Sequence, residues 1–126
     1  VGFLLNTAAA STVIRDSCLS QLINQLSIMS NSTPGPEFWS RVNALINLSN
    51  DQCDTTDPSE VAASTMYASA RFNAFIVARA TGSTENMKAE KERALEYFTE
   101  QFRMMMADNL DDFAANIEKY IPADPT

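Results

Sequence analysis

The segment YASARFNAF, residues 67–75, sets a guanidinium and an amide, Arg71 and Asn73, among aromatic and small side chains. Tyr67 stands one helical turn before Arg71, and Trp39 lies on an earlier apolar stretch. Together these four residues have the types a small anion site needs. Arg71 would clamp a carboxylate or phosphate through its planar fork, and Tyr67 and Trp39 would supply the walls. A packing role uses the same residues differently. Arg71 would stack on Trp39, pair with Glu37 or Glu96, or hydrogen-bond Tyr67, fixing helix register more than adding stability. Asn73 would then bond a neighbouring backbone or side-chain group. The sequence leans toward packing.

Other chemistry is thinner. The chain has no histidine, which removes Ser-His-Asp and Cys-His nucleophile systems and the Glu-x-x-His di-metal motif of helical bundles. No Gly-rich phosphate loop is present, and two cysteines, Cys18 and Cys53, without histidine do not make a standard zinc site in one chain. Both read as free thiols of a reducing compartment, Cys53 on an apolar helix face. The run DNLDD, residues 108–112, has acidic groups for a loose divalent cation but lacks calcium-loop spacing; a capped helix start is the simpler reading. Asn43, Asn47 and Asn50 form a stripe that suits either a ligand or water. Met104, Met105 and Met106 suit an adaptable surface or core filling. No catalytic residue, metal site or cofactor is assigned.

Charge narrows the partners. The net charge is −7, and residues 83–126 carry ten acidic groups against five basic ones. That sign repels phosphate backbones and anionic membrane surfaces, so neither nucleic acid nor membrane is expected as a partner. No apolar run approaches the ~20 residues of a bilayer span, and GFLL near the start is too short for a signal-peptide core, so a cytoplasmic protein is expected.

The elements that position these residues are helices. At 126 residues, 45% hydrophobic and with 3 Gly, the chain fits one helical domain. Residues 1–35 read as a poorly ordered extension. Met29-Ser30-Asn31 resembles a bacterial start, so the natural product is expected to begin at Met29; a docked helix carrying Leu19, Leu22, Ile23 and Leu26 is the alternative. A first helix is predicted over 36–53, with Phe38, Trp39, Val42, Leu45 and Ile46 on one arc. A second, capped by Asp57 before Pro58 and stopped by Gly82, is predicted over 58–80. It is apolar nearly all round, which predicts a central rod shielded by its neighbours. The third starts at Ser83 or Thr84. Its apolar stripe shifts near Asp108–Asn109, where a break and a short fourth helix to Tyr120 are predicted; one long curving helix is the alternative. Pro122 ends regular structure and leaves a tail, 122–126. The predicted architecture is all-α: an antiparallel up-and-down bundle of three long helices plus a short C-terminal one, over 36–121.

The segments FWSRVNALINLSNDQ, VAASTMYASARFNAFIVAR and ALEYFTEQFRMMMADNLDDFAANIEKY carry a resemblance. Over residues 37–120 the chain resembles a family of small proteobacterial proteins classed as a domain of unknown function (DUF 3144), with ARFNAF and NLDDF its most specific pieces. The resemblance implies a bacterial cytoplasmic origin and brings no activity, cofactor or site residue. The function expected is that of a non-enzymatic interaction protein, self-associating or docking one protein partner. The alternative is a small-ligand module, even a weak enzyme, centred on Tyr67, Arg71 and Asn73.

Overall fold

The computed structural model describes residues 34–124. The expectations about Cys18, a start at Met29 and the order of the first 33 residues lie outside them. The described chain is all-α, without strands, in the predicted order: α1 (Pro36–Gln52), α2 (Pro58–Thr81), α3 (Thr84–Ala115) and the short α4 (Ile117–Tyr120).

Local signals set the boundaries. Pro36 opens α1, where its missing N–H costs no hydrogen bond, and the Phe38 amide donates to Gly35 O at 3.1 Å. The α1 ladder ends as Cys53 N donates to both Ser49 O and Asn50 O. Asp57 caps α2 as predicted: one carboxylate oxygen, Oδ1, accepts from Ser59 N at 2.8 Å and also from the Ser59 hydroxyl. These bonds favour the charged form and hold the Asp57 carboxyl below its ordinary value. At the other end Gly82 takes φ +70°, and its N–H donates to Ala78 O at 3.0 Å. Ser83 then starts α3, its carbonyl accepting from Met87 N and its hydroxyl from Asn86 N.

Two compact units divide the described residues, one ending at Lys88 and the other beginning at Ala89. In the first, α1 and α2 form a helical hairpin, bridged by Ser49 Oγ and Thr65 Oγ1 at 3.3 Å. Val61 is buried in the first turn of α2, and Val77 and Thr81 are buried near its end. Thr81 is satisfied locally: its hydroxyl donates to Ala78 O at 3.2 Å, and its carbonyl accepts from Asn86 Nδ2 at 3.0 Å. Cys53 is a half-buried free thiol.

The shielded central rod is corrected. Phe72 is 65% exposed and Phe75 57% exposed. The reason is geometric: apolar residues ring α2, and a hairpin mate covers only one side of a helix. Among the described residues Val61 and Val77 are the only buried apolar side chains.

The second unit holds α3 from Ala89 onward and α4. Glu90–Arg93 and Glu100–Arg103 are ion pairs one turn apart, at 3.5 and 2.8 Å. The predicted break at Asp108–Asn109 falls instead at Asn116. Asn109 stays helical, its amide donating to Met105 O at 2.7 Å, and the shifting stripe meets no obstacle because Leu110 and Phe113 are exposed. Asn116 leaves helical geometry at φ −125°, ψ 27°. Its side-chain amide turns back onto Asp112 O at 3.0 Å and Asp112 Oδ1 at 2.9 Å. Tyr120 then reaches the same carboxylate, its hydroxyl 3.1 Å from Asp112 Oδ2, and its ring lies 4.7 Å from that of Phe113.

Candidate functional site

Helix α2 places Tyr67 and Arg71 on one face, four residues apart, and both are exposed. The predicted internal neutralisation of Arg71 is corrected: among the described residues it has no ion pair and no aromatic ring beneath it. A guanidinium in water keeps its charge without a partner, so exposure removes the need for one. Asn73, two residues on, lies about 200° round the helix from Arg71. It is half-buried, and its amide donates to Ser69 O at 2.9 Å, one turn back. Its polar group is thus tied to its own backbone.

Trp39 sits on α1, edge-on to Phe38 at 4.9 Å and about half exposed. Counted from the Ser49–Thr65 bridge, Trp39 lies about 15 Å back along α1 and Arg71 about 9 Å along α2, at 1.5 Å per residue. The two are therefore about one helical turn out of level. Trp39 instead lines an open depression with Pro36, Ser40, Asn43, Ala44 and Asn47. Two of the three predicted stripe asparagines thus share a wall with the tryptophan. The structure brings together Tyr67 with Arg71 and Trp39 with Asn43 and Asn47, and sets Asn73 on another side of α2.

Among the described residues no cluster of three His, Cys, Asp or Glu side chains is placed to hold a metal ion, and no helix is long and apolar enough to cross a membrane. Acidic groups with lowered proton affinity are structural ones, Asp57 at its cap and Glu100, whose carboxylate accepts two hydrogen bonds from Arg103. The prominent surface feature is apolar. Leu45, Ile46 and Leu48 on α1, Met66, Phe72 and Phe75 on α2, and Leu95 and Phe102 on α3 are all exposed. Sequence periodicity marks most of them as apolar positions and assigns them to a core. The signal that they exceed it is the width of the α2 arc, wider than one neighbouring helix can cover.

Residues 38–114 match the family model described as Protein of unknown function (DUF3144). The chain belongs to this family. The match runs from Phe38 to Ala114 and so takes in α1, α2 and nearly all of α3. No similarity to a curated protein or to a solved structure was found. DUF3144 membership therefore brings no activity to this chain.

Proposed function

We propose that this DUF3144 protein is a cytoplasmic bacterial interaction module, non-enzymatic, whose exposed helix faces are covered by protein. One observation carries the reading. Large apolar side chains on all three long helices are exposed, whereas Val61 and Val77 alone are buried among the described apolar residues. Large exposed apolar side chains mark protein contact when they gather on a face, and aromatic and methionine residues are the types enriched there. The test is photocrosslinking in the native cell with a photoreactive residue replacing Phe75 or, separately, Phe102. Covalent adducts with protein, either another copy or a different chain, are expected at one or both positions. Clean monomer at both positions overturns the reading.

A second reading keeps a small-anion site, supported by the exposed phenol and guanidinium that Tyr67 and Arg71 present on one face. Titration with inorganic phosphate or acetate, followed by NMR, is its test. Saturable shifts at Tyr67 and Arg71 that vanish in Arg71→Ala support it; a linear, unsaturated response counts against it.

A further inference from the structure

From the spacing along α3 we infer that the partner of this helix is a second copy of the same chain, docked antiparallel over residues 91–109. This rests on the interaction reading above and names the occupant of one of its surfaces. Leu95, Phe98, Phe102 and Met105 follow one another at intervals of three, four and three residues, the a/d spacing of a helix-pairing seam. Leu95 is 56% exposed, Phe102 46% and Met105 44%, with Phe98 half-buried. The same spacing continues in both directions into polar residues, Lys91 before and Asn109 then Asp112 after.

That order is self-complementary when read backwards. Two antiparallel copies centred on residue 100 place Leu95 level with Met105 of the second copy and Phe98 level with its Phe102. Each apolar layer then meets an apolar one. Lys91 falls level with Asn109 of the second copy and one turn from its Asp112, so the ammonium gains an acceptor and a nearby carboxylate at each end. Asn109 already donates its amide to Met105 O, which leaves its side-chain oxygen to accept from Lys91. Parallel pairing stacks Lys91 on Lys91 and Asp112 on Asp112, an arrangement that like charges oppose. A polar residue in the seam sets register and orientation at some loss of stability, the part Asn109 plays. The seam from 91 to 109 is about 27 Å long, and the flanking Met106 and Phe113, both exposed, widen the apolar contact.

The experiment uses the purified full chain. Sedimentation equilibrium is expected to give a dimer at micromolar concentration. Phe102→Glu should weaken it at least a hundredfold while far-UV circular dichroism stays helical, since Phe102 is already half exposed in the protomer. Lys91→Glu should weaken it about tenfold, and Lys91→Glu with Asn109→Lys should recover it, because the layer then sets a carboxylate against an ammonium. Orientation is read by electron–electron spin distances from a label at Ala114→Cys, with Cys18 and Cys53 changed to Ser. Antiparallel pairing centred on residue 100 predicts about 40 Å between labels at 1.5 Å per residue. A distance below about 25 Å, the span of two helices side by side, overturns the inference. So does a monomer at all concentrations; cellular adducts to a different protein would then leave the interaction reading standing with another occupant.

Discussion

Asp57 shows how much one side chain settles at the residue scale. Its carboxylate collects the Ser59 amide and hydroxyl at the start of α2, so its folded-state proton affinity is lowered. Stability from this cap is present above the ordinary carboxyl value of 3.8 and is lost as pH falls through the lower folded-state value. Asp57→Ala should melt at a lower temperature than the parent at pH 7, and the gap should close as pH falls below 3.8. Gly82 makes a second case. Its φ of +70° lies in the left-handed region, with no atom in the way of a Cβ, so Gly82→Ala should cost only the backbone strain, about 1–2 kcal/mol in urea unfolding. The buried Val77, 1% exposed, contrasts with Phe72. Val77→Ala should cost about 2 kcal/mol. Phe72→Ala, measured where only protomers are present, should stay within about 0.5 kcal/mol of the parent.

At the scale of the element, several polar side chains along α3 find partners one turn away within the same helix. Arg93 pairs with Glu90, Arg103 with Glu100, and Asn109 with the Met105 carbonyl. Asn116 differs in turning its amide toward Asp112 while its backbone leaves the helix. Asn116→Ala removes both bonds to Asp112, including the one to its carboxylate that Asn109 has no counterpart for, and substitutes the strongest helix former. The variant should carry α3 without interruption toward Tyr120, read as helical carbon chemical shifts and slower amide exchange at residues 116–120. Unchanged shifts there would assign the break to the Phe113–Tyr120 and Asp112–Tyr120 contacts instead.

For the whole molecule, exposed apolar faces and a net charge of −7 pull in opposite directions. Like charge drives copies apart, while burial of apolar faces, in the association proposed above, would draw them together. If folding and association are linked, stability depends on concentration. The thermal midpoint should therefore rise by about 3 °C for each tenfold increase in protein concentration. A midpoint constant over two decades would mean that the protomer alone holds the fold.

The order and number of the helices, the bounds of α1 and α2 and the start of α3 follow from local chemistry: Pro36 and Pro58 at first turns, Asp57 as a cap, Gly82 as a stop. These are interactions between residues a few positions apart, so they are legible in the chain itself. Family membership was legible for the same reason, through ARFNAF, NLDDF and their neighbours. What each face touches was not. Periodicity tells which residues share a side of a helix, and it placed Tyr67 with Arg71 correctly. It cannot tell whether another helix lies on that side. Only the tertiary structure decided that Arg71 and Phe72 meet water and that the shifted stripe at Leu110 and Phe113 leaves α3 unbroken past Asp108, because burial depends on residues distant in sequence and apolar patterning is the same for a core and for an interface.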